Sequence, residues 1–289
     1  MIPIFLIGSP RCGTTCISRC LRHAPGIPGF DEGHFLSNLL DFAVLRHSIS
    51  TRIAENKHES ADAVGASHFH KYISEVKFYN IFKQGYMQAL NCHIDQIFDD
   101  KATDSKKRKK LPLTDKYFVD KSPGPKGILI TKYLVKMWPE AKFIFLKRRS
   151  IENIHSRMKK FENNTYTEES FTKHCKQWVN DLNYFRQDAE PFLKPEQYIQ
   201  IDHYDIMTKP ELLIDTLCNF IDDLEQYRWL MINFLKNKFP ESTNDSKPPP
   251  IYSIDSIPWE NKYKEIHNKI CLEKLEEEGY TLDDSYRKV

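Results

Sequence analysis

The twelve residues Ile4-Phe5-Leu6-Ile7-Gly8-Ser9-Pro10-Arg11-Cys12-Gly13-Thr14-Thr15 constrain this chain more than any other stretch. The apolar run reads as a buried strand. Gly8 and Gly13 bound a turn, and helical periodicity follows to about His23. Strand, glycine-bounded loop and helix in that order aim backbone N–H groups and a helix N-terminus at an oxyanion. The pattern departs from G-x-x-x-x-G-K-[ST] at one place: Thr14 stands where the lysine belongs, and the cation, Arg11, lies inside the loop. A loop that holds a phosphate but moves its cation suggests a different transferable group. The plainer alternative is an ordinary strand–turn–helix corner, since glycine pairs are common in turns.

The rest of the chain alternates in the same manner. Apolar periodicity predicts helices over about 33–54 and 67–98. A short strand follows at Tyr117–Asp120, a helix over 127–137, and a strongly apolar strand at Lys142–Leu146. Helices are expected from Ser150 and over 168–192, then a fourth strand at Tyr198–Ile201 and helices near 210–222 and 224–238. A last helix over 259–278 stops at Gly279. Strands alternating with helices imply an α/β fold of the P-loop type, three layers with a central parallel sheet flanked by helices, and ligands at the strands' carboxyl ends. Two stretches read as loops. Residues 99–116 carry the basic run Lys106-Lys107-Arg108-Lys109-Lys110, and 239–258 include Pro248-Pro249-Pro250.

Composition excludes several classes. With 42 basic and 40 acidic residues the net charge is +2, so no nucleic-acid or membrane signal spans the chain and any anion site must be local. The N-terminal apolar run is too short for a membrane span and has no basic leader, and no other segment reaches spanning length. Seven scattered cysteines argue for reduced thiols in a cytoplasmic setting. Cys12, Cys16 and Cys20, four apart, read as small residues packing one face rather than a metal or redox cluster. His68 and His70 are a lone pair, not a ligand set.

A second anion site lies far along the chain. Strand Phe143–Leu146 delivers Lys147-Arg148-Arg149 at its carboxyl end, and Ser150 can cap the next helix. Arg148 and Ser156, about two turns into that helix, can converge on one phosphate, a guanidinium fork with a hydroxyl. Lys160, four residues beyond Ser156, shares its face. The alternative is that Arg148 and Arg149 are solvated and Ser156 is incidental.

Together, the Gly8–Thr15 loop, Asp120-Lys121-Ser122-Pro123 and the Arg148/Ser156 pair, eight apart, resemble the sulfotransferase superfamily. The branch containing the tyrosylprotein sulfotransferases is most similar, since its loop also reads Pro-Arg-x-Gly-Thr-Thr. The resemblance implies a single domain over 1–289 and 3′-phosphoadenosine 5′-phosphosulfate (PAPS) as donor, with PAP as product and no metal. It further implies that Cys12, Gly13, Thr14 and Thr15 hold the 5′ end with Arg11, and that Arg148 and Ser156 hold the 3′-phosphate. Glu32, 21 positions after Arg11, takes the place of the branch's catalytic base, and Lys121 that of its lysine before an x-Pro pair. His203 stands where the family has a tyrosine, and no carboxyl-terminal 3′-phosphate loop is recognisable beyond Ser256 and Lys262 near Trp259.

The implied reaction is an in-line displacement with charge spread over peripheral oxygens, governed by positioning and electrostatics. Arg11 and Lys121 would stabilise that charge, and Glu32 would take the acceptor's proton, with Asp31 and His34 as rivals. The acceptor is a small-molecule, carbohydrate or peptide hydroxyl, or an amine. The sequence names neither it nor an oligomeric state. Rival readings are a P-loop kinase or NTPase, against which Thr14 counts, and a non-catalytic nucleotide-binding module.

Overall fold

A computed structural model describes residues 1–30, 36, 74–98, 115–163, 165–237 and 250–288, and elements are numbered over these residues. Strand β1 (Ile2–Gly8) leads through the loop into helix α1 (Thr14–His23), and a two-residue strand β2 (Gly29–Phe30) follows. Helix α2 (Glu75–Phe98) precedes β3 (Tyr117–Lys121), short helices α3 (Pro125–Leu129) and α4 (Thr131–Met137), and β4 (Lys142–Lys147). Helices α5 (Ser150–Phe161) and α6 (Glu168–Tyr184) come before β5 (Tyr198–Asp202). Helices α7 (His203–Thr208), α8 (Pro210–Phe220), α9 (Arg228–Asn237) and α10 (Asn261–Glu277) complete the order.

All the strand pairs are parallel, in the order β2-β3-β1-β4-β5. The chain passes from β1 to the edge strand β2, returns to β3 between the two, then crosses to β4 and β5 on the other side of β1. Where strand order reverses, helices leave on opposite faces and a crevice opens at the carboxyl ends. Gly8, Lys121, Lys147 and Asp202 end four of these strands, so the residues that follow them share that crevice.

Strand alternation explains the layers. Ile4 and Leu6 pack on one face with Ile17 and Leu21 of α1, Leu217 of α8 and Met231 of α9. Phe5 and Ile7 pack on the other with Leu90 of α2, Ile154 of α5, Trp178 of α6 and Tyr263 of α10. A strand buried on both faces needs no polar residue, and β1 has none before Gly8. This is the three-layer α/β fold expected from the alternation.

Several details differ from the expected elements. The sheet has a fifth strand, β2, and α7 adds a helix. The helix expected over 127–137 is two, meeting at Ile130. The helix expected over 168–192 ends at Tyr184, passes through a wider turn at Phe185–Ala189, and closes in a tight turn at Glu190–Phe192. Pro191 has no N–H to extend a helix. The helix expected over 33–54, the start of that over 67–98, the basic run 106–110 and most of the 239–258 loop lie outside the described residues. At the chain's far end α10 closes as expected: Gly279 takes φ 78° and the Tyr280 N–H reaches the Leu275 carbonyl at 3.0 Å.

Candidate active site

The loop between β1 and α1 is held open by its backbone. Gly8 has φ 137°, Gly13 has φ 88°, and Arg11, not a glycine, has φ 69°. At Gly8 an added Cβ would lie 2.1 Å from the Leu146 carbonyl oxygen of β4; at Gly13 it would lie 2.7 Å from the Ile206 side chain. Helix α1 begins with Gly13 as its cap, no side chain caps it, and its first turn holds no acidic residue. Its first N–H groups therefore face the crevice with their partial positive charge uncompensated.

Lys121, at the end of β3, is buried, and its Nζ donates to Thr15 Oγ1 at 2.8 Å. Its neighbour Asp120 points to the other side of the sheet, where Tyr86 and Ser122 hydroxyls donate to its carboxylate at 2.7 and 2.8 Å. Strand alternation thus turns the lysine toward the α1 end of the crevice.

Arg148 is 2 % exposed and Arg149 fully buried, so neither is the solvated charge of the plainer reading. Arg148 Nη1 donates to the Arg11 carbonyl at 3.2 Å, and Arg11 Nε donates to Ser156 Oγ at 3.0 Å. The two stretches singled out in the sequence, 137 and more residues apart, are in contact. They open on a cavity of about 280 Å³ lined by Arg11, Arg148, Ser156 and Lys160, with Lys159, His155, Pro250 and Tyr252 completing the wall. Glu152 also lines it, but its carboxylate is taken by Arg149, with Nε–Oε2 3.0 Å and Nη2–Oε1 2.5 Å. Four cations thus face the cavity with the one carboxylate already neutralised.

Arg149 plays a different part from Arg148. Its Nη1 donates to the carbonyls of Thr281 at 3.0 Å and Asp283 at 2.5 Å, its Nη2 donates to that of Tyr252, and its guanidinium lies 4.6 Å from the Tyr286 ring centroid. The Tyr252 N–H donates to Glu152 Oε1 at 3.1 Å. The Arg149–Glu152 pair therefore fastens the Pro250–Tyr252 wall to the start of α5. Ser150 is no helix cap: Arg149 occupies that position, and Ser150 Oγ bonds His267 Nε2 of α10 at 2.8 Å. Behind β5, the hydroxyls of Tyr280 and Tyr286 donate to the Asp202 carboxylate, the latter at 2.8 Å.

His203 is buried beneath Gly13, and neither ring nitrogen has a hydrogen-bond partner. Burial first, then the nearby guanidinium groups of Arg148 and Arg11, depress its pKa well below the usual histidine range. Burial pushes the Cys12 and Cys16 thiols up to about 12 each, so they are packing groups, as the spacing suggested. None of the seven cysteines is in a disulfide. Ser256 closes a turn with Ser253, and Lys262 pairs with Glu260 at 3.2 Å; neither lines the cavity. Glu32, Asp31 and His34 lie outside the described residues.

Sequence reasoning passed over Lys159 and His155 in the cavity, and Asn153, Arg157 and Asp181 behind the loop. Lys159, three residues after Ser156, was open to the argument that found Lys160. Among the described residues, no helix is long and apolar enough to cross a membrane and no cluster of metal-ligating side chains occurs.

A family model, the sulfotransferase family, matches residues 3–225, and the chain belongs to that family. No curated protein matches it. Among solved structures, the sulfotransferase domain of the Synechococcus PCC 7002 olefin synthase is 16% identical, with a TM-score of 0.47 over 97% of this chain and 95% of that one. Sulfotransferase STF9 from Mycobacterium avium is 15% identical, with a TM-score of 0.45 over 95% and 76%. The sulfotransferase domain of the curacin biosynthetic pathway is 20% identical, with a TM-score of 0.41 over 86% and 80%.

Proposed function

We propose that this chain, as a single domain over 1–289, moves a sulfuryl group from PAPS to a hydroxyl or amine acceptor. One observation carries the reading: the Arg11–Ser156 hydrogen bond joins an uncapped helix N-terminus to a second cation-rich cavity. A donor with phosphate at both ends of one nucleoside suits such a pair of sites. The donor set fits it, with guanidinium, ammonium and hydroxyl groups around the cavity and the N-terminus of α1, which no side chain caps, at the other end.

The bound donor would supply an activated sulfuryl group on a stable nucleotide leaving group. Backbone N–H groups of Cys12 to Thr15, with the two threonine hydroxyls, bind its 5′ end. Arg148, Ser156 and Lys160 bind its 3′-phosphate. Lys121, already on Thr15, offsets the charge that gathers on the peripheral and bridging oxygens, and Arg11 adds positive charge between the two ends. Glu32, two residues past β2, accepts the acceptor's proton at its carboxylate. The acceptor is a small molecule, carbohydrate or peptide.

Thermal denaturation with PAP and with ATP tests the donor assignment. PAP at a hundred times its Kd should stabilise the fold by roughly 2.7 kcal/mol, with little effect of ATP. The reverse order would point to a kinase or NTPase. Transfer of label from PAPS into candidate acceptors, lost in Glu32→Ala, tests the catalytic assignment; full activity in that variant removes Glu32 as base.

A further inference from the structure

The strained loop is gripped from behind at three successive residues. Arg157 Nη2 donates to Ser9 Oγ at 2.5 Å, Asn153 Nδ2 donates to the Pro10 carbonyl at 2.9 Å, and Arg148 Nη1 donates to the Arg11 carbonyl at 3.2 Å. Ser9 in turn donates to Asp181 Oδ2 at 2.6 Å, the oxygen that Arg157 Nη2 also reaches at 2.7 Å. Ser9, Asn153, Arg157 and Asp181 are each at most 1 % exposed. A non-glycine residue at positive φ, as at Arg11, persists only where its surroundings over-determine it.

Stability alone does not account for the Arg157–Asp181 pair. Arg157 Nε and Nη1 and Asp181 Oδ1 are buried with no hydrogen-bond partner. A buried ion pair left this incomplete is no more stabilising than apolar packing of the same volume. What apolar side chains could not do is hold the Ser9 hydroxyl. The spacing on α5 is also telling: Asn153 and Arg157, four apart, face the loop, while Ser156 and Lys160, four apart, face the cavity. One helix thus carries a stripe for each end of the site.

We propose that Arg157, acting through Ser9 and with Asp181 as its anchor, is a positioning residue that sets the loop receiving the donor's 5′ end. It touches neither end itself. This rests on the sulfotransferase reading above, because it presumes a ligand with groups at both ends.

The test uses the full chain with PAP and adenosine 3′-phosphate, which lacks the 5′ group. The dissociation constant of adenosine 3′-phosphate divided by that of PAP, both measured by calorimetry, reports what the loop contributes. In Ser9→Ala and Arg157→Lys this ratio should fall roughly tenfold, as for loss of a charge-assisted hydrogen bond, with adenosine 3′-phosphate held as before. A variant that only loosened the fold would weaken both ligands and leave the ratio unchanged. Ser9→Ala removes a single hydroxyl, so it serves even if substitutions of Arg157 fail to fold. An unchanged ratio in Ser9→Ala overturns the proposal. Absence of PAP binding in the unaltered protein would instead overturn the donor reading on which it rests.

Discussion

The two regions proposed to hold the donor's ends are built from different materials. The β1–α1 loop offers main-chain N–H groups, and its shape depends on backbone torsions at Gly8, Arg11 and Gly13. The β4–α5 cavity offers side chains, with Ser156 and Lys160 on α5 and Arg148 one residue past the end of β4. A site made of backbone fails when its fold fails. A site made of side chains can be dismantled one contact at a time. The loop's demands are therefore steric and nearly absolute, while the cavity's are electrostatic and graded.

The sharpest way to break this contrast is Gly8→Ala. Its Cβ would stand 2.1 Å from the Leu146 carbonyl at a φ of 137°, so the loss should reach about 4 kcal/mol or more, seen as a collapse of Tm or of soluble yield. A Tm within a few degrees of the unaltered protein would show the backbone site to be as tolerant as the other.

Acid should loosen both regions through a histidine behind each. His267, which holds Ser150 at the start of α5, has its pKa lowered from 6.5 to about 4, chiefly by burial; His203, beneath Gly13, is also depressed. Between pH 6.5 and about 4 the unfolded chain binds a proton that the folded one refuses at His267, and His203 is shifted in the same direction. Stability present above pH 6.5 is thus lost as pH falls toward the folded pKa of His267. His267→Gln should flatten the fall of Tm over that window; an unchanged slope removes His267 from the account.

For the cavity, Arg148→Ala should weaken PAP by about 2 kcal/mol, some thirtyfold, by loss of hydrogen bonds to a charged group. Calorimetry would read it, and an unchanged Kd would refute the contact. The smallest effects belong to the exposed Lys159 and Lys160. Alanine at either should cost under about 1 kcal/mol of PAP binding, and the loss should shrink as salt rises. A salt-independent loss would mean that these lysines make buried contacts when the ligand is bound.

What could be read in advance follows the same division. Gly8, Gly13 and the run before them announced the loop because its geometry is written over a dozen consecutive residues. Arg148 and Ser156 announced the cavity because a strand end and a helical repeat fix their separation. By contrast β2 is two residues long, too short for any alternation to register. Helix α7 had a signal that went unused: the Asp202 side chain accepts from the Tyr204 N–H at 2.8 Å, an ordinary N-terminal cap. Arg149 could not be told from Arg148 by sequence, since its partners at 252, 281 and 283 are set only by the tertiary fold. Arg157 and Asp181 are 24 positions apart and meet only because α5 packs on α6.

The fork of Arg149 also bears on the order in which the molecule takes shape. Its three carbonyl partners lie 103, 132 and 134 positions further along, and closing loops of that length is slow compared with forming a helix or pairing neighbouring strands. A chain that has paired its sheet but not yet gathered in residues 252–283 has a loop at β1 and no finished wall opposite it. On the proposed function, competence to hold a two-ended nucleotide therefore arrives after the bulk of the architecture, as a late step of maturation.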